Sequence, residues 1–408
     1  MPTIKPFRGL RPAPDAAQQV IAPPYDVVTT EEARAFARGN PLNFLHVSRP
    51  EIDLSPGTPP YGEAVYQAGA KNFAGLISRQ TLCRDARENF YVYRLSLDGR
   101  QQTGLVGVVS VVDYRAGRVR KHEHTRPEKE NDRIAHMEAL NAQTGPTMMV
   151  YRQVPGATEL LTAATREVPD HEALQLQGAE HSLWVVRDDE LIQEFKNAFE
   201  DLPVFYIADG HHRSAAAAQV AARRARAVDD PSQFFLAVVF PANEMNILDY
   251  NRVVRDLGDM SGGQFLQEVA RRFALEPHDG PVRPERNGEF GLYVDGNWYR
   301  LMLRDEFLAA ADPIERLDVR RLETHVFTPI LNITDPRTDP RIDFVGGRRG
   351  LRELERRVDQ GGMRAAFSLF PTSLEELMSV ADSGAVMPPK STWFEPKLAD
   401  GLVAYMLD

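Results

Sequence analysis

Residues 204–221, VFYIADGHHRSAAAAQVA, switch pattern at a single glycine. Before Gly210 stands an apolar run with β-branched and aromatic members, which suits a buried strand. After it comes an alanine-dominated stretch, and alanine is the strongest helix former. The chain must pass from strand to helix inside a tight turn, and Gly210 lets the backbone come close there. A helix that starts at such a turn presents unsatisfied N–H groups and the positive end of its dipole. His211, His212 and Arg213 add donors at the same terminus. This donor set suits a phosphate, because arginine offers a planar fork and imidazoles offer directed N–H groups. Asp209 can hold a magnesium ion, a hydroxyl group or a neighbouring cation. Zinc is the rival ligand, but adjacent histidines rarely reach one ion together, and zinc pairs on a helix are spaced as in H-E-x-x-H. The plain alternative is that Asp209 only caps the helix.

Two further stretches carry chemistry. KHEHTRPEKENDR (121–133) sets Glu123 between two histidines, and a carboxylate beside imidazoles is a candidate general base. Glu128, Asn131, Asp132 and Arg133 could ligate magnesium or a substrate amine. Lys129, Glu130 and the arginines read better as a solvated charge run. MPPKSTWFEPK (387–397) brings Lys390, Ser391 and Thr392 to a proline-stiffened loop that could hold a carboxylate or a phosphate. It is not a P-loop, since no G-x-x-x-x-G precedes the lysine. PPYDV (23–27) and DYNRVV (249–254) are weaker, and Tyr25 and Asp26 could line a pocket.

Around these motifs the chain reads as a mixture of helices and strands. Helices are expected at 29–39, 62–80, 135–142, 188–201, 213–227, 263–276, 314–331 and 373–384. Hairpins are expected around Asp98-Gly99 and Asp295-Gly296. Strands are expected at 148–154, 182–188, 234–241 and 365–371, and residues up to about 28 read as loop. The alternation lacks a strict βαβ rhythm, so the fold class is α/β with α+β-type mixed sheets. The expected regions are 1–190, with a hairpin and the KHEHT loop, then a phosphate-binding core at 191–255, then an α/β region at 256–408.

Of 408 residues, 43% are hydrophobic and the formal net charge is −10, so a nucleic-acid partner is not expected. The one cysteine, Cys83, excludes an intrachain disulfide and a thiolate metal cage. No apolar run approaches membrane-spanning length, and a cytoplasmic location is expected.

IADGHHRSAAA resembles the nucleotide-phosphate box of the ParB/sulfiredoxin-like fold. The resemblance is closest to the free L-serine kinases of that fold, which carry DGHHR. An HE pair precedes the box in those kinases, here His122-Glu123, and a PK-[ST]-T segment follows near the C-terminus, here Pro389-Lys390-Ser391-Thr392. DGHHR near the middle and PPKSTWFEPK near the end also resemble a large, mostly uncharacterised bacterial and archaeal family. The resemblance implies a nucleotide-binding core with a large insertion between Glu123 and Asp209. It implies phosphoryl transfer from ATP or ADP, with Mg2+, to the hydroxyl of a free amino acid, L-serine first. In that reading Glu123 and Asp209 are catalytic, and Asp209 is also the metal ligand. Gly210, His211, His212 and Arg213 hold the nucleotide, while His122, Lys390, Ser391 and Thr392 hold the substrate. The rival reading is a nucleotide-binding regulator without catalysis. A homodimer is left open.

Overall fold

The computed structural model describes residues 1–224 and 226–408. Two compact units divide the chain: Met1–Met245 with Pro396–Asp408, and Asn246–Glu395.

The first unit is built on a nine-stranded mixed sheet. Its strands in chain order are β1 (Ile4–Lys5), β2 (Phe90–Leu97), β3 (Arg100–Ser110), β4 (Val119–Arg120) and β5 (Thr147–Tyr151). They continue with β6 (His171–Leu176), β7 (Ala179–Val186), β8 (Phe205–Asp209) and β9 (Phe234–Pro241). Their spatial order is β4-β8-β5-β9-β3-β2-β7-β6, with β1 paired to β3. The β4–β8 and β9–β5 pairs are parallel and the others antiparallel. β5 and β9 are buried at every residue, as continuous apolar runs such as FFLAVVF require when both faces are covered.

Helices α1 (Thr30–Ala37), α2 (Glu63–Ser78), α3 (Pro127–Leu140), α4 (Asp189–Glu200) and α5 (His211–Arg224) complete the unit with shorter elements. Thr29 closes a capping box with Glu32 at the start of α1. α3 packs against both α2 and α5. Ala215, Ala216, Ala217 and Ala218 of α5 are all buried, and their small side chains let neighbouring backbones approach. A four-stranded sheet joins Leu82–Arg84, Gly9–Pro12, Ala404–Met406 and Ala142–Gln143, which brings the C-terminal residues into this unit.

The second unit contains a six-stranded sheet of β10 (Tyr250–Val254), β11 (Phe273–His278), β12 (Glu289–Val294), β13 (Asn297–Leu303), β14 (Ile342–Gly346) and β15 (Ala365–Leu369). Its order is β11-β13-β12-β15-β10-β14, antiparallel throughout. α6 (Gly262–Ala270) and α7 (Leu351–Asp359) belong to it, and Leu354 of α7 joins Val253, Trp298 and Val345 in its core.

Both expected hairpins form. Asp98-Gly99 and Asp295-Gly296 take positive φ at both turn residues, the geometry that two-residue hairpins prefer. Other expectations give way to tertiary contacts. The opening segment is not all loop, because Ile4–Lys5 and Gly9–Pro12 pair with β3 and with Leu82–Arg84. α3 begins at Pro127, inside the polar run, with proline in the first turn where its missing N–H costs nothing. The helix expected over 263–276 stops at Ala270, and Phe273–His278 instead pairs with β13. The helix expected over 314–331 is a short Asp318–Leu322 helix that runs into a π-helical turn at Glu323–Phe327. The three expected regions also differ from the observed division. Residues 1–190 and 191–245 share one sheet, since β8 and β9 pair with strands far upstream.

Candidate functional site

The strand–turn–helix expected at 204–221 is present. β8 ends at Asp209, Gly210 sits at φ +98°, and α5 starts at His211. A Cβ on Gly210 would lie 3.1 Å from Arg213 and 3.2 Å from the Thr147 backbone. Positive φ and tight packing together reserve this position for glycine.

Asp209 lies among cations. Its Oδ2 is 3.2 Å from Arg213 Nη2 and 3.6 Å from Lys397 Nζ. Burial by itself pushes this carboxyl up. Lys397, then Arg213, and the Gly210 amide outweigh it and hold the group well below the usual carboxylate range. Arg213 is 5% exposed and donates to the Pro146 carbonyl as well as to Asp209, while its Nε has no partner. Burial opposes its charge, and Asp209, Asp26, Tyr25 and Asp400 more than restore it. Asp400 is 2% exposed. Burial raises its carboxyl to about 7, against the pull of Arg213 and Arg133. A Cβ on Gly145 would lie 3.0 Å from Asp400 Oδ1 and 3.4 Å from Arg213 Cδ, so a bare backbone closes this corner.

The two adjacent histidines face different neighbours. His212 accepts a hydrogen bond from the Arg126 amide on Nε2 at 3.0 Å. His211 is buried, and its Nε2 lies 3.4 Å from the His122 amide. Its Nδ1 lies 4.0 Å from Glu123 Oε2. The His122 and His211 rings meet edge to face at 4.5 Å. Both ring nitrogens of His122 are buried; one is directed at the Ile207 carbonyl and the other has no hydrogen-bond partner. Burial pulls His122 down to about 4, and burial followed by His122 holds His211 well below its usual value. Both rings are therefore neutral at pH 7. Glu123 is half exposed at the mouth of this pair.

A second layer supports these groups. Arg133 stacks over the Tyr25 ring at 3.8 Å and donates twice to Asp132, which also receives the Tyr66 hydroxyl at 3.1 Å. Arg133 is buried, not part of a solvated run, and Asp132, read as a candidate ligand for magnesium or an amine, is buried with it. The sequence singled out neither Lys397 nor Asp400. Lys397 was legible only as a second lysine in PPKSTWFEPK, and nothing local marks Asp400.

Lys390, Ser391 and Thr392 belong to the second unit. Lys390 is exposed and takes φ +57°. Arg252 holds the loop by donating to the Pro389 and Lys390 carbonyls at 3.4 and 3.0 Å. Ser391 is buried, donates to the Pro388 carbonyl at 2.6 Å, and offers its own carbonyl to Thr372. Burial lowers the Arg252 guanidinium to about 10.

A family model described as "Protein of unknown function (DUF1015)" matches residues 4–320. The chain belongs to the DUF1015 family. Among solved structures, the DUF1015 chain is similar to a free serine kinase variant in complex with AMP, at 14% identity over 71% of this chain and 86% of that one, with a TM-score of 0.33. A variant of that kinase in complex with ADP gives 15% identity over 70% and 86%, with a TM-score of 0.34. SbnI from Staphylococcus aureus, with a C-terminal truncation, gives 11% over 72% and 85%, with a TM-score of 0.37. These are distant likenesses. No curated protein matches the chain. No helix among the described residues is long and apolar enough to cross a membrane.

Proposed function

We propose that this DUF1015 protein is a small-molecule kinase with a ParB/sulfiredoxin-like nucleotide-binding core, which transfers phosphate from ATP or ADP to the hydroxyl of a free amino acid, L-serine first. The observation that carries this reading is the convergence of three distant segments on one helix start. Glu123, the Asp209–Arg213 turn and Lys397 meet there, with Glu123 4.0 Å from His211 and Lys397 3.6 Å from Asp209. Phosphoryl transfer asks a protein mainly for positioning and charge neutralisation, and these residue types supply both.

In this reading the backbone amides of Gly210, His211 and His212 at the start of α5 receive the donor phosphates. Arg213 is too deeply engaged to serve as a mobile fork and instead fixes Asp209. Lys397 faces the charge that develops on the transferred group. Glu123 is exposed enough to meet a substrate hydroxyl and takes up its proton, a role typically contributing about 10²–10⁴-fold. Asp209 fits a cation, since it is ionised at neutral pH and 29% exposed, although Lys397 and Arg213 already offset its charge. Magnesium bound with the nucleotide would neutralise phosphate charge, with Asp209 as its protein ligand. His122 lies behind Glu123 and holds that side of the pocket.

The test combines purified protein, Mg2+, ATP, ADP or pyrophosphate, and a panel of amino acids, with phosphoamino acid detected by mass. O-phosphoserine is the expected product. Glu123→Gln should remove turnover and leave nucleotide affinity intact, and near-wild-type product from that variant would sink the assignment. Tight nucleotide binding with no product from any amino acid would favour the regulator.

A further inference from the structure

Adjacent histidines argue against zinc only while the two histidines are the only ligands on offer. The fold changes the set. His211 turns away from His212 and meets His122 and Glu123, which lie far upstream in sequence. One ligand atom from each of His122, Glu123 and His211 falls within 4.8 Å of the others. We propose that His122, Glu123 and His211 form a binding site for a divalent transition-metal ion, separate from any magnesium carried by a nucleotide.

The donor set decides the class of ion. Two imidazoles and one carboxylate suit zinc, iron(II), cobalt, manganese or nickel, whereas magnesium prefers oxygen ligands and keeps its waters. The second observation is the state of His122. Its ring is buried, one nitrogen is directed at the Ile207 carbonyl, and the other has no hydrogen-bond partner. A buried polar atom without a partner is costly, and a metal bond on one nitrogen would remove that cost. The Asp209 carboxylate adds negative charge near both rings.

The geometry is close to a site but not yet contracted. Ligand atoms at about 2.0–2.2 Å from zinc stand roughly 3.3 Å apart. Glu123 sits on an exposed loop, so its side chain is the member that can move inward. His211 would use Nδ1, the nitrogen that faces Glu123. Its proton would then sit on Nε2, and the long 3.4 Å contact from the His122 amide would open. Three protein ligands leave a coordination position open, as in catalytic rather than structural zinc sites. Glu123 Oε2 is the oxygen that faces His211, so an ion bound there draws on the same carboxylate that the kinase reading uses as base.

The experiment uses the full chain, stripped with a chelator, without nucleotide or amino acid. Co2+ is titrated and read by its visible d–d absorption, then displaced with Zn2+. The expected result is about one Co2+ per chain, with His122→Ala, His211→Ala and Glu123→Gln each weakening binding by at least about tenfold. Exposed His124→Ala should bind as wild type does. Zn2+ should also shift the NMR signals of the His211 ring and the His122 amide. Circular dichroism and melting curves verify that the variants fold. If His122→Ala does not fold, Glu123→Gln on the exposed loop carries the test. Absence of Co2+ binding, or binding unchanged in His211→Ala and Glu123→Gln, overturns the inference. A chain that makes phosphoserine but takes no Co2+ overturns this site alone. A chain that takes Co2+ but makes no product overturns only the kinase reading.

Discussion

Asp400→Asn is the perturbation that most directly tests the charge network beneath the helix start. Asp400 is 2% exposed, near Arg213, Arg133 and Asp26. Burial is the largest influence and raises its carboxyl from 3.8 to about 7. The folded state therefore holds a proton that the unfolded state releases. Between about pH 4 and pH 7 the native chain binds more protons, so this group's contribution is greatest at low pH and is lost as pH rises through 7. Each pH step in that window changes stability by about 1.4 kcal/mol, so wild type should lose about 3 kcal/mol from this residue between pH 5 and pH 8. Asparagine cannot ionise and keeps an acceptor oxygen. The variant should gain on wild type by about that amount over the same interval. Urea unfolding followed by Trp184 fluorescence, in a background with Trp298 and Trp393 replaced by Phe, reports on the first unit. The difference between variant and wild type cancels other titrating groups. A difference that stays constant from pH 5 to pH 8, or grows in favour of wild type, would refute the reasoning.

Other outcomes follow from the same geometry. Lys397→Met removes the largest favourable influence on Asp209 and should cost about 1 kcal/mol at pH 7. The depressed Asp209 carboxyl stabilises the fold above its ordinary value, so the gap between Lys397→Met and wild type should close as pH falls below about 4, which acid titration of unfolding would show. Gly210→Ala must adopt φ +98° and crowd Arg213, and should cost about 1–3 kcal/mol in melting experiments while weakening nucleotide binding measured by calorimetry. Lys390→Gly relieves a left-handed lysine and should stabilise the second unit by about 1 kcal/mol, read by Trp298 and Trp393 fluorescence; a loss of stability would show that the lysine side chain holds the loop.

Much of the local architecture was legible in the residues themselves. The Gly210 turn, the alanine helix behind it and both Asp-Gly hairpins each rest on backbone preferences within a few positions. Residues 273–276 were misread because a short apolar stretch after a helix continues the helical pattern equally well, and only pairing with β13 makes it a strand. Arg133 looked solvated because a charged residue in a charged run usually is, yet the Tyr25 ring and Asp132 hold it buried.

The residues of 204–221 by themselves determined that a strand would end in an aspartate, turn on a glycine and start a helix with donors at its tip. Backbone sterics and helix propensity act over a few residues, so the local string suffices for that. Which groups would face the tip was decided only in three dimensions. Lys397 and Asp400 arrive because Ala404–Met406 pairs with Gly9–Pro12 and Ala142–Gln143, far away in the chain. His122 and Glu123 arrive because Val119–Arg120 pairs with the start of β8. Strand pairing brings together residues at any sequence distance, and no local propensity encodes the partner. That is why the motif was readable before the fold, while the split of its two histidines, one toward His122 and Glu123 and one toward Arg126, was not.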